Sequence, residues 1–224
     1  MIERVTSGIP GLDKLISGGF VKGSTTLITG GTGTGKTTFC CQFLLDGLQK
    51  GEPGVYLSME EDPEDIKDDM KVYGWDLEKY EKSKKLKIVY QNPFEVADVS
   101  AKLMETVSAI KAKRVVIDPI SLMGLYIKDE AAVRKKFYQL TRILKEAGVT
   151  SIITSEILED SKALSRDGVI EFVVDGVVIL TFLGLGEASD RSVMVRKMRR
   201  TKHGTEAYKL EIGNKGLAIK KVSL

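Results

Sequence analysis

The sequence predicts an α/β fold, with a mainly parallel twisted sheet, helices on both faces and antiparallel strands at one edge. Short apolar runs alternate with segments of helical period along most of the chain, which is typical of strands joined by crossover helices. After residue 190 the apolar runs follow one another with no helical segment between them, which indicates antiparallel edge strands. The 224 residues, 42% of them hydrophobic, suit one domain over residues 1–224 and exclude collagen-like, low-complexity and disordered proteins.

Strands are expected where short runs of apolar and β-branched residues stand between turn-forming or polar residues. In chain order these runs are residues 24–29, 54–59, 86–90, 115–117, 149–154, 176–182, 193–199, 207–212 and 217–222. A turn at residues 213–216 joins the last two strands as a hairpin. The run 172–186 is nearly apolar over 15 residues but contains Asp175, so it is too short to span a membrane and is expected to be buried strand.

Helices are expected at residues 36–49, from 62 toward 74, at 99–111 and at 129–147. The second begins with Asp62, whose side chain can cap the first turn, and with Pro63, which fits the first helical position. The last carries apolar residues at the spacing of an amphipathic helix and ends at Gly148.

The formal net charge of +3 conceals an uneven distribution along the chain. Residues 191–224 contain 10 Lys and Arg against 2 acids, whereas the first 190 residues carry a net charge of −5. The basic charge of this end therefore needs to be explained by a partner. The two cysteines, Cys40 and Cys41, are adjacent, so no long-range disulfide framework forms and they are expected to be packing residues. With no signal sequence and no membrane span, a cytoplasmic location without a membrane partner is expected.

One segment matches the phosphate-binding loop pattern G-x-x-x-x-G-K-[ST] and lies between a predicted strand and a predicted helix. The residues expected to hold a polyphosphate group are Gly31, Thr32, Gly33, Thr34, Gly35, Lys36, Thr37 and Thr38. Glycines allow the backbone to wrap closely, so that successive N–H groups point at the phosphates. Lys36 is expected to reach the β and γ phosphates, Thr37 to bind Mg²⁺ and Thr38 to contact the α phosphate. The alternative is an ordinary glycine-rich turn.

Acidic residues follow two of the predicted strands, at the edge where ligands bind in open α/β sheets. Asp118 is expected to hold Mg²⁺ through water, and the alternative is that it caps a helix after Pro119. Glu60 and Glu61 are expected to orient and polarise the attacking water, with Glu60 favoured because it is nearer the strand end. The alternative is that both begin a solvated acidic stretch, because residues 52–81 hold 11 acids against 3 bases.

The order of these motifs resembles the KaiC-like branch of the RecA superfamily of ATPases. The segments 6–15 and 18–23 are similar to the N-terminal segment of that family, and the phosphate loop, the glutamate pair and Asp118 follow in the family's order and spacing. Lys197-Met198-Arg199 followed by His203 is similar to its K-M-R-x-x-x-H signature. The resemblance covers nearly the whole chain.

This resemblance implies a RecA-like P-loop domain that assembles into a homo-oligomer, a hexameric ring or a filament, with ATP at each subunit interface. It implies that Lys197 and Arg199 are delivered in trans to the neighbour's γ phosphate, where a cation neutralises charge in the transition state. The alternative is that both form an exposed basic edge. His203 either contacts nucleotide or is a surface residue.

Three positions depart from the family pattern. Pro119 stands where the family usually has serine, which removes a hydroxyl near the metal. Thr154-Ser155-Glu156 resembles the family's T-[ST]-E at the strand end, whereas recombinases carry an amide there. Asn214 replaces a frequent aspartate. Trp75, beside Gly74, is expected to be a packing residue.

The favoured function is therefore an Mg²⁺-dependent ATPase that acts as an oligomeric switch. The alternative is a recombinase-related accessory protein that binds single-stranded DNA, which the charge of +8 over residues 191–224 favours. Against it, residues 156–167, where RecA-like proteins place a DNA loop, hold 4 acids and 2 bases. An autokinase and a nucleotide-binding scaffold with negligible turnover are further alternatives. The protein partner of the switch is not identified by the sequence.

Overall fold

The structure is a computed structural model that describes residues 2–93, 99–125, 127, 129–158, 161, 163–183 and 190–220. Its strands are β1 Arg4–Val5, β2 Phe20–Val21, β3 Thr25–Gly30, β4 Gly54–Ser58, β5 Leu86–Tyr90, β6 Arg114–Asp118, β7 Thr150–Glu156, β8 Gly176–Leu183, β9 Asp190–Met198, β10 Ala207–Gly213 and β11 Gly216–Lys220. Its helices are α1 Leu12–Leu15, α2 Lys36–Gln49, α3 Pro63–Lys71, α4 Glu78–Lys82, α5 Val99–Ile110, α6 Ser121–Gly124, α7 Glu130–Glu146 and α8 Ile170–Val173.

Strands β3 to β11 form one nine-stranded sheet in the order β11-β10-β9-β8-β3-β7-β6-β4-β5. The six strands from β8 to β5 are parallel to one another, and β9, β10 and β11 add to β8 as antiparallel strands. This confirms the predicted fold class. Because the parallel strands all end at the same edge, the loops after β3, β4, β6 and β7 meet there. Strand β9 runs the other way, so it begins at that edge and ends at the opposite one.

Two buried layers hold helices on the two faces of the sheet. One layer joins α2 to the sheet through Phe39, Phe43 and Tyr56, and the other joins α5 and α7 through Leu103 and Phe137. All five of these side chains are at most 1% exposed. Burying an aromatic or aliphatic side chain of this size stabilises a fold by about 1.5–3 kcal/mol. This packing holds α2, and with it the end of the loop that precedes the helix, against the sheet.

A buried arginine ties α2 to the bottom of the sheet. The Arg114 guanidinium donates to the carboxylates of Asp46 at 2.9 Å and Glu52 at 2.7 Å, and to the main-chain oxygens of Phe43 and Thr6. A Cβ at Gly47 would lie 2.4 Å from Arg114 Nε, so only glycine leaves room for this side chain.

Most predicted elements are present with small shifts of their ends, and α2 and β5 coincide with residues 36–49 and 86–90. The prediction for the run 172–186 was wrong in its first part. Phe172 lies in α8 with 63% of its surface exposed, and the strand begins only at Gly176. A short apolar run does not by itself distinguish a helical turn from a strand.

Some short elements were not predicted from the sequence, and parts of two predicted segments lie outside the described residues. The strands β1 and β2, two residues each, and the helix α4 were not predicted, because such short segments carry no periodicity. Residues 221 and 222 of the last predicted strand, and 184–186 of the apolar run, lie outside the described residues. Over the described part of the chain, every helix is too short or too polar to cross a membrane.

Candidate functional site

The phosphate loop joins the end of β3 to the start of α2, as its sequence pattern requires. Gly33 and Gly35 have φ angles of +73° and +98°, in the left-handed region that favours glycine. Helix α2 begins immediately after Gly35. The first N–H groups of a helix have no partner within it and carry its positive dipole end, so this loop is suited to bind an anion.

Lys36 places its ammonium group inside the loop. Its Nζ donates to the main-chain oxygens of Gly30 and Gly31, both at 2.9 Å. Burial lowers the pKa of Lys36, while the nearby carboxylates of Asp118 and Glu156 oppose that shift. The Lys36 ammonium group therefore lies inside the loop, bonded to two main-chain oxygens that a phosphate group can replace.

Asp118, at the end of β6, accepts hydrogen bonds from three hydroxyl groups. Thr37 Oγ1 donates to Asp118 Oδ2 at 3.0 Å, the Tyr56 hydroxyl donates to the same oxygen, and Thr154 Oγ1 donates to Oδ1. Asp118 is buried, with 8% of the residue exposed. Pro119 offers no hydroxyl group at this point, but these three other hydroxyl groups reach Asp118.

The donor set around Asp118 fits Mg²⁺. Threonine hydroxyl and carboxylate oxygens are ligands that this ion accepts, and Thr37 and Asp118 are already adjacent. The described residues contain no group of three or more His, Cys, Asp or Glu side chains that would enclose a metal ion. Such a site suits an ion held by one or two side chains together with nucleotide phosphates and water.

Glu60 and Glu61 follow β4 and line the same cleft, which has a volume of about 380 Å³. Burial raises the pKa of the Glu60 carboxyl, and the charges of Glu156 and Asp118 raise it further. Burial also raises the pKa of Glu61, with Asp118 contributing next. A higher pKa makes a carboxylate a better proton acceptor, so the cleft favours base chemistry.

The end of β7 contributes a further acidic residue to this cleft. Glu156 lines it and pairs with Arg166 at 2.7 Å, while Ser155 Oγ accepts from the Arg166 N–H at 3.1 Å. Six residues of the predicted phosphate-binding set also line the cleft: Thr32, Gly33, Gly35, Lys36, Thr37 and Thr38. The structure therefore brings the phosphate loop, the glutamate pair, Asp118 and the strand-end glutamate together.

Lys197 and Arg199 lie away from this cleft. Lys197 of β9 pairs with Val177 of β8, which in turn pairs with Leu27 of β3. Leu27 lies three residues before the end of β3, so about 10 Å of strand separates the level of Lys197 from the phosphate loop. Its Nζ donates to the main-chain oxygens of Glu171 at 3.1 Å and Val174 at 2.7 Å. Burial lowers the pKa of Lys197, and neighbouring Arg199 adds to that effect. Neither residue lines the cleft of its own chain.

The C-terminal hairpin packs on the phosphate loop. Ile212 lies against Gly35, where a Cβ would come within 3.1 Å of it, and Gln42 of α2 bonds both backbone groups of Leu217. Asn214 is exposed in the turn of the hairpin. His203 is partly exposed and shares a surface groove with Lys14 and Lys202.

Besides Ile212, sequence reasoning missed two polar side chains that touch the site. Arg191, at the start of β9, donates to the main-chain oxygen of Gly33 at 3.0 Å. Tyr56 donates to Asp118 from the middle of β4. The expected packing residues Cys40, Cys41 and Trp75 are buried, in agreement with the sequence.

Comparisons with known proteins support this description. A family model described as "ATPase: KaiC" matches residues 5–223. A UPF0273 protein of Thermotoga maritima is 38% identical over 98% of this chain and 96% of its own length. The circadian clock protein KaiC3 of Synechocystis is 35% identical over 97% of this chain, which spans about half of that protein.

A solved structure has the same fold over almost the whole length. The crystal structure of a KaiC-like protein from the hyperthermophilic archaeon Pyrococcus horikoshii OT3 matches with a TM-score of 0.90 and 44% identity, covering 99% of this chain and 100% of that one. The phosphate loop, the glutamate pair and Asp118 occur here on that fold. The chain belongs to the KaiC family of RecA-type P-loop ATPase domains.

Proposed function

We propose that this protein binds ATP with Mg²⁺ and hydrolyses it to ADP and phosphate, as a homo-oligomeric, nucleotide-dependent switch in the cytoplasm. The observation that carries the proposal is the hydrogen bond of 3.0 Å between Thr37 of the phosphate loop and Asp118 of β6. It joins the anion-binding loop to a carboxylate in the same cleft as the glutamate pair. Residues 1–224 would act as one ATPase domain.

The residues of the loop would bind and orient the triphosphate. Main-chain N–H groups of residues 31–35 and the start of α2 would hold the phosphates, with Thr38 at the α phosphate and Lys36 at the β and γ phosphates. Thr37 and Asp118 would hold Mg²⁺, the latter through water. When bound, that ion neutralises charge on the β and γ phosphates.

Glu60 would accept the proton of the attacking water. Its position in the cleft and its raised pKa support that role over a solvated surface role. Glu61 lines the same cleft, and its main-chain oxygen accepts a hydrogen bond of 2.5 Å from Ser58 Oγ, which holds this turn against the strand end. Because both glutamates line the cleft, substituting each one separately with glutamine and comparing the ATPase rates distinguishes their roles.

Lys197 and Arg199 would act on the nucleotide of a second copy. They lie toward the opposite end of the sheet from the loop of their own chain. They would therefore reach a phosphate if a second copy presented its cleft to them, as it does in a head-to-tail contact. The charges of +8 over residues 191–224 and −5 over the rest favour contact between unlike surfaces of two copies. A head-to-tail contact closes into a ring, such as a hexamer, or continues as a filament.

A mixing experiment tests the trans role. The Glu60→Gln variant has an impaired cleft but normal Lys197 and Arg199, and the Arg199→Ala variant has the reverse. We expect each to be inactive alone and the mixture to regain ATPase activity, because some interfaces combine a normal cleft with a normal arginine. A mixture as inactive as its components, while light scattering shows mixed oligomers, would contradict the trans role.

Binding of single-stranded DNA is the second candidate, and the basic C-terminal segment is the observation that favours it. Several of its cations have protein partners, among them Lys197, which donates to carbonyl groups, Lys220, which pairs with Glu211 at 2.7 Å, and Arg191, which donates to the main-chain oxygen of Gly33. The ATPase rate with and without single-stranded DNA, together with mass by light scattering in ATP and ADP, separates the candidates. Stimulation by DNA that salt abolishes favours DNA binding, whereas a DNA-indifferent rate with ATP-dependent assembly favours the switch.

A further inference from the structure

Asp118 has three hydroxyl donors, and one of them belongs to no sequence motif. Thr37 is part of the phosphate loop, and Thr154 lies in the last three residues of β7, where the family pattern also has threonine. Tyr56 lies inside β4, two residues before its end, and its hydroxyl donates to Asp118 Oδ2. Nothing in the motifs accounts for a tyrosine at this position.

The pairing of β4 with β6 brings Tyr56 to Asp118. Tyr56 is opposite Val116, and Ser58 is opposite Asp118. Side chains two residues apart on a strand share a face, so Tyr56, Val116 and Asp118 all point toward α2. Tyr56 is 1% exposed in the core layer beneath that helix. Its long ring spans the two-residue offset, and the hydroxyl meets the carboxylate.

The three donors limit what the carboxylate can do. A carboxylate offers about four acceptor positions on its two oxygens. Tyr56 and Thr37 use two on Oδ2 and Thr154 uses one on Oδ1, which leaves one on Oδ1. Because Tyr56 and Thr154 donate to different oxygens, together they oppose rotation of the carboxylate about its Cβ–Cγ bond.

We propose that Tyr56 is a positioning residue for the Mg²⁺ site, whose hydroxyl holds Asp118 so that its remaining acceptor position receives a metal-bound water. This inference rests on the proposed Mg²⁺–ATP function. Tyr56 acts only through Asp118 and touches no nucleotide. Hydrogen-bond partners of metal-site side chains commonly change metal affinity or activity by about 10- to 100-fold when they are removed.

The test is Tyr56→Phe, which keeps the ring and removes one oxygen. Binding of Mn²⁺ to the ADP complex, measured by electron paramagnetic resonance, is expected to weaken about tenfold. ADP affinity in EDTA is expected to stay unchanged, because the loop is intact. The matched control is Ser151→Ala, which removes a buried hydroxyl bonded to Thr25 at 2.8 Å at the other end of the sheet. It is expected to leave Mn²⁺ affinity unchanged.

A second background separates positioning from general packing. In Asp118→Asn protein, Tyr56→Phe is expected to cause no further loss of Mn²⁺ affinity, because the carboxylate it positions is gone. The same loss in both backgrounds, or Mn²⁺ affinity within about twofold of the parent in the single variant, overturns the proposal. If Asp118→Asn itself leaves Mn²⁺ binding unchanged, the metal assignment under the proposed function fails as well.

A further variant keeps the test decisive if Tyr56→Phe does not fold. Thr154→Val keeps the side-chain shape and removes the donor to Oδ1. It is expected to weaken Mn²⁺ binding in the same way, since the carboxylate is then held from one oxygen only. Near-ultraviolet circular dichroism and the unfolding temperature establish the fold of each variant. Normal Mn²⁺ affinity in folded Thr154→Val protein contradicts the idea that hydroxyl donors orient Asp118.

Discussion

Arg191 donates a hydrogen bond from Nε to the main-chain oxygen of Gly33 at 3.0 Å, across 158 positions of sequence. Its guanidinium also lies 4.9 Å from the centre of the Phe182 ring. The start of β9 thereby supports the middle of the phosphate loop, where Gly33 has a φ of +73°. A loop that is rich in glycine has many other conformations, so an outside support helps to keep it in the binding conformation.

Replacing Arg191 with leucine is expected to weaken ADP binding several-fold. Hydrogen bonds from charged groups contribute about 1.5–3 kcal/mol when they are buried, and this partly exposed one contributes less. The measurement is isothermal titration with ADP. The control is Arg196→Leu, an exposed arginine of the same strand, which is expected to bind ADP normally. Equal losses in the two variants would instead indicate a general effect of positive charge.

Replacing Glu60 with glutamine is expected to abolish steady-state ATP turnover and to preserve ATP binding. The amide has nearly the same shape but accepts no proton, so chemistry is lost while the phosphate contacts remain. Single-turnover hydrolysis and nucleotide affinity are the measurements. Glu61→Gln is the matched comparison, with a smaller expected loss. An unchanged ATP hydrolysis rate in Glu60→Gln protein would show that a group other than Glu60 is the base.

Replacing Arg114 with methionine is expected to destabilise the protein by about 3 kcal/mol, because Asp46 and Glu52 would lose a buried partner. The free energy of unfolding in urea measures this effect. The control is Arg142→Met, whose pair with Glu146 is exposed and is expected to contribute less than about 1 kcal/mol. Similar losses of unfolding free energy in the two variants would mean that the ion pairs of Arg114 stabilise the protein no more than an exposed ion pair does.

The lowered pKa of the Asp46 carboxyl predicts how the free energy of unfolding depends on pH. Burial raises its pKa, but hydrogen bonds from Lys50 and Thr6 and the charge of Arg114 lower it more, so its pKa in the folded protein lies below the ordinary 3.8. The unfolded chain therefore takes up this proton first. The stability that Asp46 contributes is present above about pH 3.8 and is lost as the pH falls toward its folded pKa.

Urea unfolding measured at steps from pH 6 to pH 3 checks this expectation. In Asp46→Asn protein the fall in unfolding free energy below about pH 4 is expected to become shallower, although the variant starts from a lower stability. The slope is the relevant quantity, because it counts the protons taken up on unfolding. An identical slope in the two proteins would show that other carboxylates account for acid sensitivity.

Local patterns predicted the elements that position the site. The glycine and lysine residues of the loop and the apolar periodicity after them placed α2 at Lys36–Gln49. Asp62 accepts from the Glu64 N–H, and Asp129 accepts from the N–H groups of Ala131 and Ala132 in the first turn of α7, as capping residues should. Phe172 was assigned wrongly because a four-residue helix and a strand have the same apolar signal over so short a run.

The sequence by itself determined the fold class, the phosphate loop and the acidic residues at the strand ends, because each depends on neighbours within a few positions of the chain. Only the tertiary structure decided which side chains surround them. Strand order and register set the contacts of Tyr56 with Asp118 and of Arg191 with Gly33, and the distance of Lys197 from its own cleft. These arise from long-range pairing of β4 with β6 and of β9 with β8, which is set by packing of the whole sheet and leaves no periodic trace in the sequence.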